Sequence, residues 1–189
     1  IFGSEDIMKQ MPEEGQKFLA VDQIYRDMMA KANKNPVALV IARDKEGLEM
    51  LQEANVMLDE IQKGLAAYLE VKRIAFPRFF FLSNDEMLEI LSETKDPTKV
   101  QPHLKKCFEG INTLEFQENT DITAMLSVEG EVVPFKTKVE PSKTGGAVEK
   151  WLVQVEACMV EAVQDQAQKS VASFAEGARE EWVVEWPAR

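Results

Sequence analysis

MLQEANVMLDEIQKGLAAYL, residues 50–69, carries the strongest periodicity in the chain. Leu51, Ala54, Leu58, Ile61, Leu65 and Tyr68 recur in alternating steps of three and four, which places them on one face of an α-helix. Met50, Met57, Gly64 and Val71 widen that stripe, while Gln52, Glu53, Asp59, Glu60, Lys63 and Glu70 fall on the remaining faces. Upstream, Asp44 is suited to cap the helix, and downstream Pro77 limits it. A helix over residues 45–74 would be about 45 Å long at 1.5 Å per residue. That is too long for a compact ball of 189 residues to hide, so the spacing predicts an elongated, mainly helical molecule.

The same period reads outward in both directions. Phe18, Val21, Ile24, Tyr25 and Met28 predict a helix over residues 18–31, stopped by 33–36, because the residue before a proline is driven out of the helical region. After the apolar run of residues 79–82, Ser83-Asn84-Asp85-Glu86 has the spacing of a capping box, with Leu82 and Met87 placed as a hydrophobic staple. A short helix through Ser92 follows. Asp96-Pro97 reads as the cap and first position of the next, and Pro102 restarts a helix with Leu104, Cys107, Phe108 and Ile111 on one face. From 122 to 135 the period changes to alternation around Glu129-Gly130, a β-hairpin whose second arm, containing Pro134, belongs at a sheet edge. Residues 141–146 read as a loop. Val148, Trp151, Leu152, Val155, Met159, Ala162 and Val163 mark a further helix, and a tail from Arg179 carries Trp182 and Trp186. The expected organisation is a lead-in at 1–17, a helical part at 18–120, the hairpin at 121–139 and a second helical part at 147–189.

Composition narrows the functional classes. With 45% hydrophobic and 29% charged residues the chain can bury a core. A formal charge of −11 and a pI near 4.7 argue against nucleic-acid or anionic-lipid binding, and against holding the acidic microtubule surface directly, because those surfaces need clustered Lys and Arg. No apolar run is long enough to span a membrane, and residues 1–10 lack the pattern of a signal peptide. Beginning at Ile1, the sequence reads as a piece of a longer, soluble intracellular protein.

Side chains with catalytic potential are sparse. Gly145-Gly146 is followed by Ala147-Val148, so the lysine of a Walker-type phosphate loop is missing. His103, the single histidine, reads as a partly exposed residue in the first turn of a helix. Cys107 and Cys158 read as buried free thiols. Phe79, Phe80 and Phe81 read as core rather than as a binding groove, and Trp151 as core. Trp182 and Trp186 read as residues whose neighbour lies outside the sequence. The tip Glu129, Gly130 and Glu131 stays open between an ordinary turn and a contact surface.

The segments YLEVKR (68–73), FPRFFFLS (76–83), EILS (89–92) and VQPHLKKCF (100–108) together resemble the linker region of dynein heavy chains, and so do GEVVPF (130–135), VEKWL (148–152) and EWVVEWP (181–187). The resemblance runs from about residue 18 to the end and looks more axonemal than cytoplasmic. Phe80 replaces a tyrosine of the family pattern and Val71 a small hydroxyl residue. The resemblance implies a parent motor of the cilium or flagellum axoneme, whose AAA+ ring binds ATP and Mg, whose tail carries intermediate and light chains, and which alone meets the microtubule. It implies no catalytic, cofactor or metal residue here, and no nucleic-acid or membrane partner. This segment would be a lever arching over the ring, with Glu129, Gly130 and Glu131 as candidate ring contacts and Gly145 and Gly146 as candidate hinge residues. The competing class is a static helical scaffold or adaptor; a self-contained enzyme is the weakest. Without a glycine loop and its lysine, the isolated chain is expected to show no saturable ATP binding in calorimetry at millimolar nucleotide.

Overall fold

The computed structural model describes residue 2 and residues 5–92 and 96–186. Its frame is a helix pair. α1 (Glu5–Gln10) leads into α2 (Pro12–Lys34), α3 (Ala38–Ala42) turns the chain, and α4 (Lys45–Ala75) returns along α2. Three cross-links fix an antiparallel register: Tyr68 donates its hydroxyl hydrogen to Gln10 Oε1, Glu14 lies across Gly64 where a Cβ would stand, and Lys17 pairs with Glu60 at 2.7 Å. The close approach of Glu14 is a physical reason for a glycine inside α4. Asp44 caps α4 as expected, its carboxylate accepting from the Gly47 amide at 3.2 Å.

The stripe of α4 is only half covered. Ala54, Ile61 and Leu69 are buried, but Leu51 and Leu58 keep 39% and 40% of their surface exposed. A single antiparallel partner shields one edge of a stripe that wide, and Leu51 and Leu58, seven residues apart, lie along the other edge. The solvent-accessible surface of 12401 Å² exceeds by about a third the roughly 9,100 Å² of a compact monomer of this mass. An elongated, mainly α molecule is what results.

The core gathers at the far end of α4. Leu69 and Phe76 enter it, followed by Phe79 from a 3-10 turn (Pro77–Phe81), and then α5 (Asn84–Ser92) and α6 (Gln101–Cys107). Phe76 and Phe79 meet edge to face with centroids 5.0 Å apart, the arrangement favoured by ring quadrupoles. The capping box forms: the Ser83 amide donates to Glu86 Oε2 at 3.0 Å, and the Glu86 amide to Ser83 Oγ at 3.3 Å. Leu82 and Met87 are both buried, completing the staple. Hydrogen bonds from Lys106 and Ser83 hold the Glu86 carboxyl down at about 2. Asp96 caps the next turn by accepting from the Thr98 amide.

The expected hairpin forms from β2 (Ile122–Leu126) and β3 (Val132–Val139), and a further strand, β1 (Thr113–Phe116), extends it to a three-stranded antiparallel sheet ordered β1-β2-β3. β1 lies inside the 18–120 stretch read as helical. It has four residues, of which only Leu114 is buried, too few to show a period. Long-range bonds define it: the Gln101 carboxamide donates to the Leu114 carbonyl and accepts from its amide, as a neighbouring strand would. Pro134 does sit on an edge strand, opposite Ala124. The lead-in likewise departs from expectation, since residues 12–17 already belong to α2. α7 (Val148–Ser173) packs along β3 and sends Trp151, Leu152 and Val155 into the core. α8 (Arg179–Glu185) follows, with the Trp182 indole donating to the Ser170 carbonyl at 2.9 Å.

Half coverage of the stripe has a measurable consequence. In chemical denaturation of this chain, Ile61→Ala is expected to cost about 2–5 kcal/mol, and Leu58→Ala no more than about 1 kcal/mol.

Candidate functional site

The hairpin tip is built by a turn of residues 127–130, in which the Gly130 amide donates to the Ser127 carbonyl at 3.1 Å and the Ser127 amide to the Glu131 carbonyl at 3.0 Å. Gly130 has φ +81°, the left-handed position that closes such a bulged hairpin loop and that other residues adopt only with strain. Ser127 Oγ accepts from the Glu131 amide. Val128 and Glu129 are exposed and Glu131 is half-buried. The two carboxylates therefore stand on a turn ordered by its own backbone bonds.

Gly145 and Gly146 lie between the sheet and α7. Both have positive φ, +63° and +83°, and a Cβ at Gly145 would meet nothing within 4 Å. The segment before them is tied down: residues 141–144 form a 3-10 turn, Thr144 Oγ1 donates to the Pro141 carbonyl, Pro141 is buried, and Lys143 pairs with Glu140. The left-handed pair thus links a braced turn to α7.

Ion pairs brace the sheet, tie it to α7 and tie α7 to α4. Lys138 of β3 bridges Asp121 at 2.6 Å and Glu140 at 2.9 Å, and these bonds raise the lysine above its ordinary range. Lys136 reaches Asp165 of α7 at 3.1 Å. At the crossing of α4 and α7, Lys72 pairs with Glu149 at 2.7 Å, both side chains largely buried. Burial, reinforced by the Glu149 charge, pushes the Tyr68 hydroxyl beside them up to about 12. Nothing in the sequence marked Lys72 and Glu149, which are 77 residues apart; their opposite charges on two apolar helices were the available signal.

Several expectations need correction here. His103 is buried at 7% exposure, not partly exposed, with its Nε2 3.4 Å from Glu89 Oε2, because α5 packs over the first turn of α6. Phe80 and Phe81 are not core: they keep 57% and 69% of their surface, while Phe79 is buried. A 3-10 turn points successive side chains in directions about 120° apart, so one of three adjacent rings faces inward. Cys158 is half-buried, its Sγ 3.5 Å from the Thr137 carbonyl. Cys107 is buried as expected, which raises its thiol to about 11, out of the reactive range. Among the described residues, no group of three or more His, Cys, Asp or Glu is placed to hold a metal ion, and no helix is long and apolar enough to cross a membrane.

Residues 1–170 match the family described as dynein heavy chain, N-terminal region 2. The chain belongs to the dynein heavy chain family. Over all 189 residues it is 57% identical to dynein axonemal heavy chain 12 of Rattus norvegicus, covering 6% of that protein. It is 53% identical to dynein axonemal heavy chain 3 of Mus musculus, covering 5%, and 47% identical to dynein axonemal heavy chain 1 of Mus musculus, covering 4%. The chain thus spans about one-twentieth of the heavy chains it matches. Its place in the N-terminal region agrees with the resemblance carried by residues 76–83 and 100–108.

The buried pair gives this dynein segment a stability signature. Lys72→Ala or Glu149→Ala alone is expected to cost about 3–5 kcal/mol by stranding its partner, whereas Lys72→Met with Glu149→Met should cost much less than the sum. A double-mutant cycle in denaturant measures the difference.

Proposed function

We propose that this segment is a non-catalytic lever element of an axonemal dynein, part of the linker that swings over the AAA+ ring of the same heavy chain and transmits ATP-driven displacement. The observation that carries the reading is α4: a 31-residue helix, about 46 Å long, projecting beyond the core at one end and anchored in it at the other. Leu69 and Phe76 are buried at the anchored end, and the Lys72–Glu149 pair ties the helix to α7. A helix has its backbone hydrogen bonds internal, so force applied at a free end reaches a buried end with little bending.

In this reading the ring supplies ATP and Mg chemistry, and microtubules, intermediate chains and light chains are met by other parts of the heavy chain, within the axoneme. The hairpin tip Glu129, Gly130 and Glu131 touches the ring in one of the linker's two forms. Gly145 and Gly146 are the candidate hinge, since positive-φ glycines can rotate without a Cβ clash, and a bend there would have to part the packing of α7 on β3 and the Lys136–Asp165 pair.

The test is microtubule gliding by the full motor with Glu129→Lys and Glu131→Lys. A contact that differs between two linker forms is worth about 1–3 kcal/mol, so gliding velocity should change more than nucleotide binding, and charge reversal should act more strongly than Glu129→Gln with Glu131→Gln. Unchanged gliding in a correctly assembled motor would leave the tip an ordinary turn and favour the static scaffold.

A further inference from the structure

The register of the α2–α4 pair follows from its cross-links. Residues advance along α2 as they recede along α4: Gln10 meets Tyr68, Glu14 meets Gly64 and Lys17 meets Glu60. Continued in the same steps of three and four, which keep one seam of each helix toward its partner, this register sets Val21 opposite Met57, Ile24 opposite Ala54 and Met28 opposite Met50. It ends with Lys34 level with Asp44, where α2 stops and α4 is capped. Ala54 is buried and the other five are half-buried, as a seam between only two helices must be. Beyond Lys17, therefore, the apolar seam of the pair consists of these layers, and methionine stands in two of them.

Methionine suits such a seam, because an unbranched thioether adapts to an irregular gap and packs as an apolar group. The same sulfur reacts with peroxide where solvent reaches it. A sulfur lone pair attacks one oxygen of hydrogen peroxide, the O–O bond breaks as an S–O bond forms, and proton transfer releases the second oxygen as water; sulfur loses two electrons and the peroxide gains them. The sulfoxide is strongly polar and needs hydrogen-bond donors. Opposite Met50, Met28 offers none, and opposite Met57 the Val21 side chain offers none, so each sulfoxide can be solvated only by parting the layer. Methionines of the main core differ: Met87 and Met125 keep 1% and 7% of their surface and are shielded from the oxidant.

We propose that Met28, Met50 and Met57 form a redox-sensitive seam, whose oxidation by peroxide separates α2 from α4 over the half of the pair nearest α3 and leaves the anchored end of α4 in its core. The consequence for the motor, a rod that has lost its lateral brace and transmits less displacement, rests on the lever reading. The loosening itself does not.

Hydrogen–deuterium exchange of the full-length heavy chain, read by mass spectrometry alongside a map of methionine sulfoxides, tests the seam without reference to motility. As dilute hydrogen peroxide is added, sulfoxide is expected at positions 28, 50 and 57 before 87 and 125, and exchange over residues 18–31 and 45–60 should quicken by about tenfold, the scale of burying one unpartnered polar group. Residues 84–92, in the core, should keep their protection, and methionine sulfoxide reductase should restore slow exchange. Met28→Leu combined with Met50→Leu and Met57→Leu, which conserves volume, should abolish the response, whereas Met29→Leu, at a position 47% exposed on the same helix, should leave it intact. Should the triple variant exchange fast before peroxide is added, the wild-type titration still decides, because the quickening must follow the sulfoxides at 28, 50 and 57 and not the one at Met159. Sulfoxides at those three positions without faster exchange, a quickening that persists in the triple variant or resists the reductase, or seam sulfurs no more reactive than those of Met87 and Met125 would each overturn the proposal.

Discussion

Everything in this molecule is arranged around the burial of one end of α4. Leu69, Phe76 and Phe79 bring the helix terminus into a core shared with α5, α6, the sheet and α7, and the Lys72–Glu149 pair fixes the crossing of α4 over α7. A buried ion pair contributes little net stability, because desolvation offsets most of the attraction. Its energetic asymmetry favours one alignment, since any slip that separates the charges strands both in a poor dielectric. The remainder of α4 lies outside that core, with α2 as its principal partner.

The consequence is a chain with two kinds of surface. Around the core, polar groups are largely satisfied: Arg78 donates to Glu156 and to the Cys107 carbonyl and stacks over Phe108, and Lys138 satisfies Asp121 and Glu140. Along the α2–α4 pair and at the α4 terminus, large apolar residues such as Leu48, Leu58, Ile74 and Phe81 remain in solvent. Two helices cannot bury stripes as wide as these against each other alone. The excess of accessible surface over that of a compact monomer is the same fact seen globally, in a chain that matches only a small part of much longer heavy chains.

Mechanically, the fold has two parts: α4, a rod whose backbone hydrogen bonds are internal, and a braced body formed by the sheet with α7. The positive-φ glycines Gly145 and Gly146 connect the sheet to α7 within that body, where α7 packs along β3 and Lys136 pairs with Asp165. The turn before them is held by buried Pro141, the Thr144 hydroxyl and the Lys143–Glu140 pair.

Much of the local structure was legible in the sequence because its causes are local. Asp44, the Ser83–Glu86 box, Asp96-Pro97 and the limit at Pro77 each act within four residues of where they stand, and the three-four period of α4 and α7 reports helix geometry directly. The alternation around Glu129-Gly130 likewise identified the β2–β3 hairpin and its turn, in which the fold puts Gly130 in the left-handed region. Of the candidate site, the tip and the glycine pair could be named from the sequence, but not their surroundings. Long-range contacts decided the rest. β1 is a strand because Gln101 and β2 bond to it; His103 is buried because α5 covers it; Phe80 and Phe81 are exposed because a 3-10 turn can send only one of three rings inward; and the Lys72–Glu149 pair joins residues that no local pattern connects. Periodicity shows that a helix has an apolar stripe, but how much of that stripe is covered depends on how many partners arrive, and for Leu51 and Leu58 only the folded chain shows that too few do.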